Sequence, residues 1–431
     1  MKKRLLIISP YFVPTNAADM HRVRTSLPYY TNHGWEAEII TVAPRYNDMI
    51  EDELLEKSLP AGVVIHYVKA LNKRWTSKLG LGSIALRSIW FYYAAVNKLL
   101  KNASYNLIFF STTQFPVFIL AVLWKARFKI KIVFDIQDPW HTNHYKQQPK
   151  AERPKKYWFS YHLNKTLEPI AMNAVDGLIS VSPGYLKTLV ARYPRLNGIP
   201  AVAIPFGLHL PDLDIAKAYE YKQPSVINNS KTFNLVCIGR GGYDLIPAFR
   251  HLLKAIQLGL QTDASIFQQV RIQLFGTSYA AAGFGRSTFT NEVEAHGLSA
   301  IVCESTDRLA YYQTINSLRA ADLLFIPGPD QKDYTASKLF PYLMAQRPIL
   351  AIVHPASAAT SILNKTPHAH VFSLHENQLS LISHIKTYLK NQMKLHNKGV
   401  EYTLSTISEY TSSHLTGIQT QLFDQVCNFQ K

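Results

Sequence analysis

The stretch CIGRGGYD sets a guanidinium, Arg240, among Gly239, Gly241 and Gly242, and TASKLFPYL sets an ammonium, Lys338, at the mouth of a helix. Glycines let a backbone approach a ligand closely, and an arginine beside them fixes a positive charge there. Thr335 or Ser337 is placed to cap the helix, with Leu339 following in its first turn. Such a terminus presents backbone N–H groups and the positive end of the helix dipole, and Lys338 adds a full charge to it. Two cations and a helix terminus would hold a diphosphate and stabilise it as a leaving group without a metal. The plainer alternative is a tight turn with a solvated arginine and a surface lysine.

A second group lies in the first half of the chain. VFDIQDPWHTNHY holds Asp135 and Asp138 at the end of an apolar run, with Trp140, His141 and His144 beyond it. Carboxylates at the C-terminal end of a parallel strand can bind or deprotonate an acceptor hydroxyl; they can equally cap the next segment. His141 and His144 with a carboxylate could ligate a metal, but nothing elsewhere in the chain supports that spacing, and no metal is expected. The loop SPYFVPTNAADMHRVR places Asn16 and Ala17 before a helix for which Asp19 is the N-cap candidate. It contains no GxGxxG, which removes most support for hydride transfer.

The elements that must position these residues follow one pattern. RLLIISP, WEAEIITVAP, VVIHYVKA, YNLIFFST, IKIVFDIQD, DGLISVSP and AVAIPFG read as strands with helix-period segments between them. FNLVCIGRGG restarts the series, followed by VRIQLFGTS, AIVCES, ADLLFIPG and RPILAIVHP. Strands alternating with helices form βαβ units and a mainly parallel sheet. The expected fold class is α/β, with two Rossmann-like doubly wound domains over residues 1–208 and 232–402. A polar, proline-containing linker spans 209–231, and residues 403–431 form helices that cross back to the first domain. Ligands of such sheets sit outside the carboxyl ends of the strands, so a cleft between the domains is expected.

Composition agrees. The 431 residues are too many for one ordinary core, and 47% hydrophobic content fills two. Cys237, Cys303 and Cys427 follow no disulfide or metal spacing and read as thiols of a reducing compartment. The apolar run of the N-terminus is too short for a signal peptide, and no run reaches the roughly 20 residues of a membrane span, so a cytoplasmic protein is expected. Residues 1–205 carry 27 Lys/Arg against 13 Asp/Glu, and the remainder 19 against 16. A basic first half suggests an anionic partner, and LNKRWTSKLGLGSIALRSIWFYYAAVNKLLK mixes cations, tryptophan and aliphatics as interfacial helices do. A core-packed pair of helices with a basic outer face fits as well. Nucleic acid is not expected, because no basic recognition helix, zinc pattern or aromatic-basic sheet motif is present.

SKLFPYLMAQRPILAI is similar to a segment of the GT-B-fold glycosyltransferases of the large retaining family 4, which reads Ser-Lys-Leu-Phe-Glu-Tyr-Leu followed by Gly-(Lys/Arg)-Pro-Ile-Leu-Ala. FDIQDPW, DGLISVSPGYL and VAIPFGLH match further stretches of that family in the right order, so the resemblance spans nearly the whole chain. It implies a nucleotide-sugar co-substrate in the second domain and an acceptor, glycan or lipid-linked, in the first. Arg240 and Lys338 would contact the donor diphosphate, with Gly239, Gly241, Thr335, Ser337 and Leu339 around it. Glu304, Ser305 and Thr306 would edge the nucleobase pocket. Asp138 would orient the acceptor, beside Asn16, Ala17, Asp135 and His141.

The chain departs from the family at defined positions. Asp333 and Pro341 stand where the family keeps two glutamates, so Asp333 would reach a sugar hydroxyl with a shorter arm and the ribose contact is lost. The lysine expected beyond Arg240 is missing, and so is the glycine pair of the first-domain loop. With Ser337 as N-cap, Pro341 would be the fourth helical residue and would delete the helix's first hydrogen bond. Two functions stay open: a sugar-transferring enzyme of cell-surface glycan synthesis at the inner membrane face, or a catalytically impaired GT-B protein that binds and scaffolds.

Overall fold

The computed structural model describes residues 2–47, 49–143, 146, 156–227, 231–278, 280, 282–332, 338–395 and 405–429. The chain forms two compact units, Met1–His209 with Tyr410–Lys431, and Leu210–Glu409.

Unit 1 holds a seven-stranded sheet of β1 (Lys3–Ile8), β2 (Trp35–Val42), β3 (Val64–Val68), β4 (Leu107–Ser111), β5 (Lys131–Ile136), β6 (Gly177–Ser180) and β7 (Ala201–Ala203). Their order is β3-β2-β1-β4-β5-β6-β7. Unit 2 holds β8 (Phe233–Ile238), β9 (Val270–Phe275), β10 (Val302–Ser305), β11 (Leu323–Pro327), β12 (Ile349–Val353) and β13 (Ala369–Ser373), ordered β10-β9-β8-β11-β12-β13. Every strand pair in both sheets is parallel. The sequence accounts for this: β4 (LIFFS), β8 (FNLVCI) and β12 (ILAIV) are buried along their whole length, as strands covered on both faces must be. The two doubly wound domains of the α/β class are present.

In both sheets the strand order reverses beside the first strand. The chain after β1 leads to one side and β4 lies on the other; β8 and β11 repeat the arrangement. Loops leaving such neighbours in opposite directions open a crevice at the carboxyl ends of the strands. Each unit therefore has one topological switch point, β1/β4 in unit 1 and β8/β11 in unit 2.

The segment read as a linker contains a helix of unit 2, Pro211–Ala218. Its buried Asp212 accepts hydrogen bonds from the hydroxyls of Tyr311 and Tyr312 at 2.8 and 3.1 Å. Eight residues with a weak period carry little sequence signal, and the tertiary pairing decides the helix. The C-terminal helix Ser412–Asn428 completes the core of unit 1. Phe423 lies edge-on to Trp35 and Phe109, Tyr30 OH donates to Gln419 at 3.0 Å, and Lys3 pairs with Asp424 at 2.7 Å. Among the described residues no helix is long and apolar enough to cross a membrane.

Candidate functional site

In unit 2 the loop after β8 is dense with protein. Gly239 has a φ of 140°, and a Cβ added there would stand 3.1 Å from Cδ of Lys338. Gly241 donates to Thr277 O at 2.8 Å, and a Cβ there would meet Thr288 Oγ1 at 2.8 Å. Gly242 lies beneath an ion pair between Arg240 and Asp244, with Nη1 2.9 Å from Oδ1 and Nη2 2.7 Å from Oδ2. The three glycines make room for Lys338, for the Thr277–Thr288 wall and for the Arg240–Asp244 pair.

Lys338 comes from the far side of the switch point. It is the N-cap of the helix Leu339–Met344, which follows β11, the neighbour of β8. Its Nζ stands 3.9 Å from Cys237 Sγ at the end of β8, and among the described residues no carboxylate pairs with it. Tyr342 fixes this placement. Its buried hydroxyl accepts from Ile238 N at 2.7 Å and donates to Ile238 O at 3.2 Å, pinning the helix to the last residue of β8. Tyr342→Phe leaves the buried Ile238 N–H unpaired and is expected to cost about 1–3 kcal/mol of stability, read from urea unfolding. An unchanged midpoint would mean that the phenol does not hold the helix.

Pro341 differs from expectation. With Lys338 as N-cap it is the third helical residue, and its absent N–H is one of the four that no helix of this hand can pair internally. No hydrogen bond is deleted; the helix begins where a proline is tolerated. The side chain of Leu339 is fully buried, so any role at a ligand falls to its backbone. The helix has six residues, and charge at this site comes from side chains more than from a dipole. Asp333, Thr335 and Ser337 lie outside the described residues.

Glu304, at the end of β10, accepts from Thr277 Oγ1 and from the amides of Thr288 and Phe289 at 2.7, 2.9 and 3.0 Å. It ties the loop that walls Gly241. Thr306 packs on Gly285, where a Cβ would fall 2.4 Å from its side chain, and its carbonyl accepts from Ser278 N at 3.2 Å. Both shape the β9–β10 end of the site.

In unit 1 the carboxyl ends of β1, β4 and β5 carry a buried polar network. Asp135 is fully buried and pairs with Arg22 Nε at 2.7 Å. Ser111 Oγ and Gln137 Nε2 each donate to Asp135 Oδ2 at 2.8 Å. Asp135 is thus not presented to an acceptor; it organises the ground beneath one. Ala17 is also buried, and Asn16 is half-buried with its backbone N on Ile50 O at 2.8 Å. Asp19 caps no helix. It accepts from Thr112 Oγ1 at 2.7 Å and from the N and Oγ1 of Thr113 at 3.0 and 3.2 Å, spanning the β1/β4 switch point. Burial pushes its pKa up against those hydrogen bonds.

Asp138 is the carboxylate on the surface of this network. Solvent reaches its side chain, yet the surrounding protein and then the Asp19 carboxylate push its pKa up to about 6. A raised folded-state value means that ionising Asp138 opposes folding. The stability it contributes is whole below pH 4 and is lost as pH rises to about 6. Solvent screening of an exposed carboxylate limits the loss to about 1 kcal/mol. Asp138→Asn is expected to flatten thermal stability between pH 4 and 6, and an unchanged pH profile would contradict the shift. His141 has a different setting. Its backbone N donates to buried Glu168 at 2.8 Å, its ring lies 5.0 Å from that of Tyr161, and burial followed by Arg192 lowers its pKa. His144 lies outside the described residues.

Beside the switch point, a cavity of about 340 Å³ runs from Thr113, Gln114 and Phe115 to Leu86, Phe159 and Leu163. Its inner end adjoins Asp19 through Thr113; its far walls mix Leu86, Phe159 and Leu163 with Ser83, Ser160 and Asn164. Around its outer side Trp75, Trp158 and Trp90 are 72%, 72% and 71% exposed. Lys78 lies over the Trp75 ring at 5.5 Å, Lys156 donates to Ser77 O, and Trp90 is one helical turn from Leu86. Lys73, Arg74, Lys78 and Lys156 are exposed with them.

A further cluster, Asp330, His354 and His375, lies past the ends of β11, β12 and β13. His375 Nε2 is 2.7 Å from Asp330 Oδ1 and His354 Nε2 is 4.0 Å from it. Ala356 N donates to His354 Nδ1 at 3.0 Å, so the neutral ring carries its proton on Nε2, facing Asp330. His375 and Asp330 are within hydrogen-bond distance, while His354 Nε2 stands beyond it.

Sequence reasoning missed Asp244, Tyr342, Arg22 and the Asp19–Thr112–Thr113 bridge. Only the four-residue spacing of Arg240 and Asp244 offered a signal.

No known protein family matches the sequence, and no curated protein does. Solved structures match along the whole chain. Sucrose-phosphate synthase from Thermosynechococcus elongatus shares 12% identity at a TM-score of 0.58, covering 99% of both chains. The E. coli trehalose-6-phosphate structure bound with UDP-2-fluoro glucose shares 11% at 0.59, covering 98% of this chain and 99% of that one. Anabaena HepE in complex with UDP shares 14% at 0.51, covering 99% and 96%. At such identities the likeness is one of fold. Two parallel-sheet Rossmann-like units in succession are the architecture of GT-B glycosyltransferases, and this chain has that architecture.

Proposed function

We propose that the protein is a retaining glycosyltransferase that moves a sugar from a nucleotide sugar to a lipid-linked or polysaccharide acceptor in cell-surface glycan synthesis. The observation that carries the reading is Lys338, a lysine without a carboxylate partner among the described residues, laid against Gly239 at the β8/β11 switch point. That is where a doubly wound sheet receives a phosphorylated ligand. Two solved proteins of the same fold are in complex with UDP or a UDP-sugar.

In the reaction the acceptor oxygen bonds to the anomeric carbon on the face that the diphosphate leaves. The bond from that carbon to the phosphate oxygen breaks, and the acceptor proton passes to the departing phosphate. The protein then has to position the partners and stabilise charge, more than to supply a nucleophile. Lys338 and Arg240 supply charge on the donor side, so turnover is expected to persist in a chelator. Asp138, on its network of buried carboxylates, orients the acceptor from unit 1.

The acceptor reading rests on unit 1. A cavity of mixed polar and apolar lining, on a unit whose neighbouring helices expose Trp75, Trp90 and Trp158 with several lysines, suits an amphiphile drawn from an anionic membrane face. The protein would work peripherally on the cytoplasmic side. The test is release of nucleoside diphosphate from a panel of UDP-, GDP-, ADP- and CMP-sugars, with and without vesicles of anionic phospholipid carrying a polyprenyl-phosphate sugar. Vesicle-dependent release with one donor is expected; absence of release with every donor would defeat the reading.

A second reading, a GT-B protein that binds its donor without turnover, is favoured by the pairing of Arg240 with Asp244 and by Pro341 in place of a glutamate. Nucleotide-sugar binding with no release under any condition would select it.

A further inference from the structure

We propose that Asp244 is an internal anion that competes with the donor diphosphate for Arg240, so that donor binding exchanges one anion for another. The inference rests on reading the β8 loop as a diphosphate site.

Both terminal nitrogens of Arg240 are taken by both oxygens of Asp244, at 2.9 and 2.7 Å, and Nη1 also donates to Gly241 O at 3.3 Å. This forked edge is the one by which a guanidinium grips a phosphate in two parallel hydrogen bonds. The pair closes over Gly242. A Cβ on that residue would lie 2.3 Å from Asp244 Oδ1 and 2.4 Å from Arg240 Nη1. The φ of Gly242 is 168°, extended backbone open to any residue, so the glycine is needed for space alone. A loop that keeps a bare backbone position beneath an ion pair is built to let the pair close.

The charges of Arg240 and Asp244 cancel, while Lys338, on the other side of Gly239, has no such partner among the described residues. At rest the site therefore offers one available cation and one masked one. The side chains of the pair are 35% and 33% exposed, which keeps it screened and weak enough for a doubly charged phosphate group to displace. When the diphosphate departs, Asp244 returns to Arg240. The expected consequence is weaker product binding and faster release than an unmasked arginine would give.

The test is calorimetric titration of the full chain with UDP and, separately, with inorganic pyrophosphate. Wild type is compared with Asp244→Asn, Asp244→Ala, Arg240→Ala and the double variant Arg240→Ala/Asp244→Asn. Removing the carboxylate is expected to tighten both probes about twofold to fivefold, the scale of a screened surface pair. The gain should vanish when Arg240 is absent. Unchanged or weaker binding in both Asp244 variants would overturn the inference, since Asp244 would then position Arg240. So would a gain of equal size in the Arg240→Ala background. Failure of the underlying reading looks different: Lys338→Ala and Arg240→Ala would each keep wild-type affinity for UDP.

Discussion

Lys338→Met is expected to lower kcat/KM for the nucleotide sugar by about 10²–10³, the loss that follows removal of a charge-stabilising group from a leaving-group site. Methionine keeps the aliphatic stem that lies against Gly239 and removes only the ammonium. The helix Leu339–Met344 stays pinned through Tyr342, so the loss is one of charge and not of fold. Most of it should fall on kcat, because the negative charge on the departing diphosphate grows in the transition state. A kcat/KM within threefold of wild type would remove Lys338 from the chemistry.

The largest stability effect belongs to the other unit. Arg22→Met is expected to destabilise unit 1 by about 3–5 kcal/mol, because it strands the fully buried Asp135 without its partner. Arg22 also donates to Ile204 O at 2.7 Å and to Pro205 O at 3.3 Å, so the ends of β1, β5 and β7 loosen together. Arg22→Met/Asp135→Asn should recover a substantial part of the loss, since no buried charge remains. Chemical unfolding of the two variants decides it. A single-variant cost under 1 kcal/mol, or a double variant no more stable than the single one, would show that the pair is not the organiser of this surface.

Much of the fold was legible in the sequence because its strands are continuous apolar runs, and LIFFS or ILAIV is legible without partners. The restart at FNLVCIGRGG likewise announced a second sheet. The site was legible in place and less so in detail. Arg240 and Lys338 do come from the ends of neighbouring strands, β8 and β11, as their positions after FNLVCI and ADLLFIP suggested. What each glycine is for was not legible. A glycine-rich loop reads the same whether a ligand or the protein's own side chain fills the space, and here Lys338, Thr288 and the Arg240–Asp244 pair fill it.

Asp135 and Asp138 were equivalent on paper, three residues apart at one strand end. Their roles separate only through Arg22, which arrives from a helix more than a hundred residues earlier and takes Asp135 into the core. Pro341 breaks a helical hydrogen bond only if Ser337 is the cap. Moving the N-cap from Ser337 to Lys338 turns a lost hydrogen bond into an amide that had no partner to lose. At Pro341, where the sequence departs from the glycosyltransferases it resembles, the structure offers a physical reason for the residue present.

Whether unit 2 receives a nucleotide-sugar diphosphate at the β8/β11 switch point is decided by hydrogen–deuterium exchange of the full chain, with and without a saturating nucleotide sugar. Slower exchange is predicted in 239–245 and 338–344, with the ends of β12 and β13 unchanged. Protection confined to unit 1, or to the loops after β12 and β13, would contradict it.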